Sequence, residues 1–326
     1  MAERSPLVSI GMPVRNGEKY LAEALDSFLA QTFSDFELIV SDNGSTDATA
    51  EICRCYAARD CRIRYHRAEE NRGAAWNFNH VFGLSRGKYF KWAAHDDVCG
   101  ATFLARCVEV MQADPSVVLC HCRVGCIDAG GTPIASAALA AMSGLTPRAL
   151  FDIEQTERSR ILDAAEPHRR YRDVLLRTFW VFEIFGLIRA SALRRTGLHR
   201  PYYGSDKTLL AELSLMGPFR EIPEVLFFSR RHEAQSCALA SAQERETWLD
   251  VRASRCNEWS QMLRVARGHF AVIARPEIVW RERFGCMAAA VGYTFQWTKW
   301  KALLAEFWQQ PKHLPPTTLS ETEKRP

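Results

Sequence analysis

The sequence predicts an α/β fold with a mostly parallel sheet flanked by helices, followed by a helical extension. Short apolar runs that predict strands alternate with segments whose apolar residues recur at helical spacing. Strands separated by single helices are joined by right-handed crossovers and lie parallel to one another. A chain of 326 residues is also long enough to bury one large core and to carry an appendage.

The first hundred residues supply the clearest alternation. An apolar run over residues 7–12 stops at Pro13 and predicts a buried strand. Leu21, Leu25 and Phe28 then recur at the spacing of a helix that packs one face on a sheet. The same alternation predicts further strands over 36–40, 63–66, 88–92 and 117–122, and helices over 47–58 and 73–84.

The second half of the chain alternates less regularly. Residues 135–167 have weak periodicity and predict a loop with short helices, whereas residues 182–188 predict a strand. A turn over 202–206 opens a predicted helix, and residues 225–228 predict the last strand. We therefore expect one α/β domain over 1–240, a helical extension over 241–310, and a disordered tail over 311–326, where the chain is polar and contains prolines.

The composition, 47% hydrophobic and 25% charged, is ordinary for a globular protein. The sequence contains no apolar run of about 18 residues and no apolar segment near its start, so we expect neither a membrane span nor a secretory signal. A cytoplasmic location follows as an expectation. The net charge of +4 is too small for the basic stripe of a nucleic-acid-binding protein.

The chain has 11 cysteines, several of them close together, which fits reduced thiols in a cytosol. A zinc site made of Cys120, His121, Cys122 and Cys126 is the alternative. Structural zinc sites usually contain paired Cys-x-x-Cys knuckles, which this sequence lacks. We therefore interpret these cysteines as small buried residues on and after a strand.

Acidic residues follow two of the predicted strands. Asp42 ends the second strand, and Asp96 and Asp97 follow the fourth. Since ligands of parallel sheets bind beyond the carboxyl ends of the strands, we expect these residues at one shared edge. Adjacent carboxylates are costly unless a cation neutralises them, and hard oxygen ligands suit Mg²⁺ or Mn²⁺. The alternative is that Asp97 caps the following helix.

Four segments together resemble the family 2 glycosyltransferases and their GT-A fold. They are residues 8–16, 37–47, 71–73 and 95–97, and their order and spacing match the nucleotide-binding half of that fold. The segment Ser-Asp-Asn-Gly-Ser-Thr-Asp over residues 41–47 is the most specific of them. The resemblance covers about residues 6–240, with a nucleotide-binding half to about 125 and an acceptor half beyond it.

The resemblance implies transfer of a sugar, with inversion, from a nucleotide diphosphate donor to an acceptor hydroxyl. A UDP-sugar and either Mn²⁺ or Mg²⁺ are the expected donor and cofactor. The residues assigned to the nucleotide are Pro13, Val14, Arg15, Asp42 and Asp96. Of these, Asp42 would accept the base N–H and Asp96 would face the ribose or the metal, with Asp97 as a direct metal ligand.

The same resemblance implies a base and a basic motif in the second half. Asp206, at the start of a predicted helix, matches the position of the base that deprotonates the acceptor; its alternative role is a helix cap. Glu183 and Glu212 are weaker candidates. His232, next to Arg230 and Arg231, is expected to reach the metal or the diphosphate; a solvated charge cluster is the alternative.

Two departures from the family pattern obscure the choice of donor. Relatives often carry an arginine in the helix after the Asn-x-Gly turn, where this chain has none, so phosphate binding would fall to Arg15, Arg72 or Arg231. His95 replaces the first acid of the usual acidic run. The Gln-x-x-Arg-Trp motif of processive synthases is absent, which favours an enzyme that adds one sugar.

Six of the nine tryptophans fall after residue 240. Trp297, Trp300 and Trp308, with neighbouring lysines, could touch anionic lipid as a peripheral contact. Packing on the catalytic domain, or on a second copy in a homo-oligomer, is the interpretation we favour, because acidic and amide residues share this segment.

Three other protein classes can be weighed against this interpretation. A nucleotidyltransferase needs a Gly-rich, Lys-bearing loop after the first strand, and a dehydrogenase needs Gly-x-Gly-x-x-Gly; both are missing. A non-catalytic nucleotide-sugar-binding protein is the main rival, although it would lack the base. Relatives often build surface polysaccharide or glycolipid, so a saccharide or lipid-linked acceptor is expected.

Overall fold

The computed structural model describes residues 5–235, 239, 241–253, 256–275 and 278–296. Within these residues the strands are β1 (Val8–Val14), β2 (Phe36–Asp42), β3 (Ile63–Arg67), β4 (Tyr89–Trp92), β5 (Val98–Cys99), β6 (Leu119–Ile127), β7 (Leu187–Arg189) and β8 (Phe219–Arg230). They form one sheet in the order β3-β2-β1-β4-β7-β6-β8-β5.

The helices alternate with the strands in the first half and cluster in the second. They are α1 (Leu21–Leu29), α2 (Thr49–Arg59), α3 (Ala74–Gly83), α4 (Phe103–Ala113), α5 (Ser136–Met142), α6 (Pro147–Arg158), α7 (Pro167–Arg177), α8 (Ala190–Leu193), α9 (Ser205–Met216), α10 (Ala242–Leu249), α11 (Glu258–Ile273) and α12 (Trp280–Thr294). None of those described is long and apolar enough to cross a membrane.

The first half of the sheet is parallel, as the alternation predicts. β1 pairs in parallel with β2 and β4, and β2 pairs in parallel with β3. β7 runs antiparallel between β4 and β6, and β8 runs parallel to β6. Every residue of β1, β2 and β4 is buried, because helices cover both faces of this part of the sheet.

Pro13 does not end the first strand as we expected. It lies inside β1, paired with Ser41 of β2, and the strand continues to Val14. β4 pairs with β1 only as far as Gly11. Beyond that point β1 has a single neighbouring strand, so the missing N–H of proline does not interrupt pairing on both sides.

The strand expected over residues 182–188 is also different. Residues Phe182–Phe185 form a 3₁₀ turn, and only Leu187–Arg189 pair as β7. The preceding Val181 has a φ of 55°, which breaks the extended backbone. A short apolar run cannot by itself distinguish a strand from a tight helical turn.

The described part of the C-terminal extension packs on the domain. Tyr171 of α7 donates its hydroxyl hydrogen to the carbonyl of His269 in α11 at 2.8 Å. Cys286, Ala289 and Ala290 of α12 are buried in the same apolar cluster as α7 and α9. The predicted boundary at residue 240 stays a prediction, and Trp297, Trp300, Trp308 and the tail over 311–326 lie outside the described residues.

The tight packing around Gly11 gives a test of the core. A Cβ at this position would lie 2.7 Å from Cζ of Phe90 and 2.8 Å from Cγ2 of Val81, both fully buried. Gly11→Ala should therefore lower the free energy of unfolding by about 1–3 kcal/mol, measured by urea denaturation. Gly83→Ala is the control, because a Cβ there meets nothing within 4 Å. Equal midpoints for the two variants would mean that the core accommodates the extra methyl.

Candidate active site

A cleft of about 2010 Å³ runs along the carboxyl edge of the parallel strands. Its walls come from the loop after β1, the loops that follow β2 and β4, the start of α3, the end of β8 and the helix α10. The cleft therefore lies where the strand topology predicts a ligand site. The contribution of α10, through Gln243, Thr247 and Trp248, was not predicted.

Of the residues assigned to the nucleotide, Pro13, Val14 and Arg15 line the cleft directly. Asp42 is fully buried behind them and is bound within the protein. Its Oδ1 accepts from the N–H of Ser45 at 2.8 Å, which is the expected Asx turn, and its Oδ2 accepts from the hydroxyl of Tyr65 at 2.9 Å. A direct role for Asp42 at a nucleobase stays a prediction.

The family-like segments are joined by side-chain to main-chain hydrogen bonds. The N–H of Gly17 donates to Oγ1 of Thr49 at 2.8 Å, and the N–H of Thr46 donates to Oδ1 of Asn16 at 2.9 Å. The Nδ2 of Asn77 donates to the carbonyl of Ser41 at 2.9 Å. These hydrogen bonds hold the loop after β1, the loop after β2 and the helix α3 in fixed positions relative to one another. Together these elements form one wall of the cleft.

The second acidic cluster lies across β4 and β8. Asp96 and His232 both line the cleft, with Oδ2 of Asp96 at 3.0 Å from Nε2 of His232. Asp97 is buried behind them, and its Oδ1 accepts from the N–H of Arg230 at 2.8 Å. Asp97 is not a cap of α4, whose N-cap is Thr102.

The two carboxyls have opposite pKa shifts. Burial, and then the negative charge of Asp96, raise the pKa of Asp97 to about 7. Burial also opposes ionisation of Asp96, but the hydrogen bond to His232 and the nearby His95 outweigh it and lower the pKa of Asp96. The cluster therefore carries negative charge that its protein neighbours neutralise only in part.

Arg230 organises this cluster, which the sequence did not reveal. The side chain of Arg230 is buried, so this part of the basic motif is not a solvated charge cluster. Its Nε donates to the carbonyl of Asp96 at 2.8 Å, and its Nη2 lies 2.6 Å from Oε2 of Glu23. Its Nη1 donates to the carbonyls of Asp128 at 3.3 Å and Ala129 at 3.4 Å. Arg230 thus fixes the acidic turn, whereas the next residue, Arg231, lines the cleft.

Asp206 lies in the first turn of α9 and is not a cap of that helix. The N-cap is Gly204, with a φ of 86°, and no side chain caps the helix there. Burial raises the pKa of Asp206, and its Oδ1 accepts from the N–H of Lys207 at 2.7 Å. Asp206 is not among the described residues that line the cleft, so its role as a base stays a prediction.

The weaker base candidates are both held in ion pairs. Oε1 of Glu183 lies 2.6 Å from Nη2 of Arg160. Oε1 of Glu212 lies 3.0 Å from Nη1 of Arg275, and its Oε2 lies 3.6 Å from Nη2 of Arg200. A carboxylate that is paired with arginine is a poor proton acceptor, so neither competes well with Asp206.

The residues of the alternative zinc site are spread along β6. Cys120 and Cys122 are buried, and Cys126 lies 3.9 Å from Nη2 of Arg231. Across the part of the chain that the structure describes, no group of three or more His, Cys, Asp or Glu side chains could hold a metal ion by itself.

The sequence model of Glycosyl transferase family 2 matches residues 9–176. The chain belongs to this family. An uncharacterised glycosyltransferase of Rickettsia prowazekii is 38% identical over 125 residues, which are 38% of this chain and 38% of the relative. Glycosyltransferase GlyG of Streptococcus pneumoniae is 33% identical over 116 residues, or 35% of this chain and 38% of the relative. The matched part thus spans less than half the length of both relatives.

Solved structures confirm the GT-A fold of this chain. S. aureus TarS 1–349 in complex with UDP-GlcNAc superimposes with a TM-score of 0.62 at 15% identity, covering 91% of this chain and 75% of TarS. The mannosyltransferase PcManGT of Pyrobaculum calidifontis, in complex with GDP-Man and Mn²⁺, has a TM-score of 0.52 at 17% identity, covering 94% of this chain and 80% of that one. At these identities the likeness concerns the fold alone.

The role of Arg230 in the glycosyltransferase can be tested by removing its guanidinium. Arg230→Met should lower the free energy of unfolding by about 2–4 kcal/mol, because buried carbonyls and the Asp96–Asp97 turn lose their charged partner. Arg123→Met is the control, since Arg123 forms a half-exposed pair with Glu221 and should cost at most about 1 kcal/mol. Urea denaturation followed by circular dichroism measures both, and equal losses would contradict this role for Arg230.

Proposed function

We propose that this glycosyltransferase moves a sugar from a nucleotide diphosphate sugar, most simply a UDP-sugar, to an acceptor hydroxyl with inversion. The observation that carries the proposal is one cleft lined by Pro13, Val14 and Arg15 on one side and by Asp96 and His232 on the other. Such a cleft can hold a nucleoside against the first group and its diphosphate against the second. The nucleotide sugars bound by TarS and PcManGT support the choice of donor class.

The acidic cluster fits a divalent cation, Mn²⁺ or Mg²⁺. Burial of two adjacent carboxyls raises the pKa of Asp97 to about 7, a condition that a nearby cation would relieve. Asp97 and His232 would hold the ion, with phosphate oxygens completing its ligands, as is usual for Mg²⁺. When bound, such an ion supplies charge neutralisation to the departing diphosphate. The Mn²⁺ in the PcManGT complex supports this assignment.

Asp206 is the base in our proposal. Its carboxylate would take the proton of the acceptor hydroxyl while that oxygen attacks the anomeric carbon and the bond to the diphosphate breaks. Burial raises the pKa of Asp206, which makes its carboxylate a stronger proton acceptor than an exposed one. Lys207, whose Nζ donates to the carbonyl of Thr178 at 2.5 Å, connects this end of α9 to the segment that leads to Trp180, which lines the cleft.

The setting we propose is cytoplasmic synthesis of surface polysaccharide or glycolipid, with a saccharide or lipid-linked acceptor. Trp280 and Phe284 of α12 are exposed, which supports a peripheral membrane contact or a homo-oligomer contact through the tryptophan-rich helices. The alternative function is nucleotide-sugar binding without catalysis. It is favoured by one observation, the position of Asp206 outside the described cleft lining.

The catalytic proposal is tested with a panel of UDP-, GDP- and dTDP-sugars and Mn²⁺, measuring release of the nucleoside diphosphate. Asp206→Asn should lower turnover by at least about 100-fold, because the base is lost, and leave donor affinity unchanged. Asp97→Ala should lower turnover and also weaken Mn²⁺ binding. In the wild type, turnover should fall as the pH drops through the raised pKa of Asp206, at a higher pH than for an exposed carboxylate.

Stability provides the control for these variants. Asp206→Asn keeps the shape of the side chain but removes the charge that supports the Lys207 ammonium, so its Tm should be somewhat lower than that of the wild type, and turnover is compared at a temperature where both proteins are folded. Full activity of Asp206→Asn would mean that another group is the base. A wild-type protein that binds UDP but releases nothing from any donor, with saccharide acceptors present, would favour the binding protein.

A further inference from the structure

An aromatic group that the proposed mechanism does not use lies at one side of the cleft. We define the aromatic platform as Trp180, Phe182 and the guanidinium of Arg231. The rings of Trp180 and Phe182 are stacked with centroids 6.4 Å apart and an interplanar angle of 16°. Cζ of Arg231 lies 5.5 Å from the first ring and 5.7 Å from the second. Trp180 and Arg231 both line the cleft.

The platform is far along the sheet from the nucleotide residues. Arg231 follows the end of β8, and it contacts Cys126 of β6. Pro13 and Asn43, by contrast, lie at the ends of β1 and β2. In the sheet, β4 and β7 separate β1 and β2 from β6 and β8. His232, paired with Asp96, stands next to Arg231. A nucleoside on β1 and β2 with its diphosphate at Asp96 would leave the platform to the sugars.

The backbone that carries the platform is strained and held in place. Val181, between the two rings, has a φ of 55° and a ψ of 22°, a left-handed conformation that is costly for a β-branched residue. Strain of this kind persists only where the surroundings enforce it, and it concentrates at ligand sites. Surrounding contacts are therefore needed to hold Val181 in this conformation.

Buried polar groups supply that network. Oε1 of Glu157 accepts from the N–H groups of Phe179 at 2.6 Å and Trp180 at 3.1 Å. Nη1 of Arg160 donates to Oγ1 of Thr178 at 2.7 Å, and Nζ of Lys207 donates to the carbonyl of the same residue. Four polar contacts thus fix the three residues that lead into the strained turn, so the rings are oriented before any ligand arrives.

We infer that the aromatic platform is a carbohydrate-binding subsite that takes the pyranose ring of a saccharide, an inference that rests on the proposed function. A pyranose presents a face of C–H groups and a rim of hydroxyls. The negative π-face of Trp180, which is half-exposed and lines the cleft, binds such C–H groups, while Phe182 supports it from the core side. The guanidinium of Arg231 lies over both rings and also lines the cleft, so its planar N–H donors are available to the hydroxyls of the same saccharide.

We assign the pyranose ring on the platform to the acceptor. The sugar of the donor is the alternative ligand. Lys207 connects the platform to Asp206, since its Nζ binds Thr178 and its backbone N–H binds the Asp206 carboxylate. A saccharide that is seated on Trp180 would therefore approach the same end of α9 that carries the proposed base. The donor sugar would instead lie nearer the diphosphate at Asp96 and His232.

The test compares Trp180→Ala and Trp180→Phe with the wild type. Saturation-transfer-difference NMR, with UDP and Mn²⁺ present, measures binding of methyl glucoside, methyl galactoside and methyl N-acetylglucosaminide. Calorimetry measures the affinities for UDP and for UDP-GlcNAc. Phe179→Ala is the matched control, because Phe179 is an exposed neighbouring ring that is not among the described residues of the cleft lining.

An acceptor subsite predicts that Trp180→Ala weakens glycoside binding about tenfold and leaves both nucleotide affinities unchanged. A donor-sugar subsite predicts a similar loss for UDP-GlcNAc alone. Trp180→Phe should retain most binding in either case, and Phe179→Ala should match the wild type. If Trp180→Ala does not fold, Trp180→Leu keeps the bulk without the ring and takes its place.

The inference is overturned if Trp180→Ala binds all glycosides and UDP-GlcNAc as the wild type does, including the case in which neither protein binds a glycoside. This outcome is distinct from failure of the proposed function. That failure would appear as a wild type that releases no nucleoside diphosphate, whatever residue 180 is.

Discussion

Negative charge that is buried at the end of β4 is the constraint on which the rest of this site depends. Asp97 is only 8% exposed, and positive groups and N–H donors are needed to make its ionised form tolerable. Arg230 donates its main-chain N–H to Asp97, and the positive charge of Lys91 favours the ionised form of the same carboxyl. Lys91 is itself fully buried, with its ammonium over the rings of Phe103 and Phe227. The neighbouring core is thus built around these charges.

This requirement also joins the two halves of the chain. The bond from the N–H of Arg230 to Asp97 connects the last residue of β8 to the loop after β4, 133 residues earlier. The Arg230 side chain then reaches Glu23 of α1 and the turn at Asp128. Any displacement of β8 against the parallel strands would leave Asp97 buried without its donor. The contacts of Arg230 that stabilise the buried carboxylates therefore also maintain the shape of the neighbouring cleft.

The parallel half of the fold and the cleft edge could be predicted because local patterns determine them. The end of β2 at Asp42 and the position of Asp97 in the loop after β4 follow from periodicity and spacing, as does the motif over residues 41–47. Arg230 and Val181 could not be predicted in this way. The burial of Arg230 depends on partners more than 100 residues away, and the left-handed turn at Val181 is imposed by Glu157 and Arg160 against its own preference. The start of the short strand β7 could not be predicted for the same reason, because the strand begins only after that turn.

The contact between Lys207 and Thr178 bears on how specificity and catalysis are related under the proposed function. The ammonium of Lys207 is buried, and burial lowers its pKa, while the adjacent Asp206 charge acts in the opposite direction. Asp206 and Lys207 therefore support each other's charged forms, and the carbonyl of Thr178 completes the arrangement. The network that orients the rings before a saccharide binds therefore also fixes this carbonyl contact, and with it the charge balance at Asp206. Recognition of the acceptor and activation of its hydroxyl would then depend on one short segment, residues 178–182.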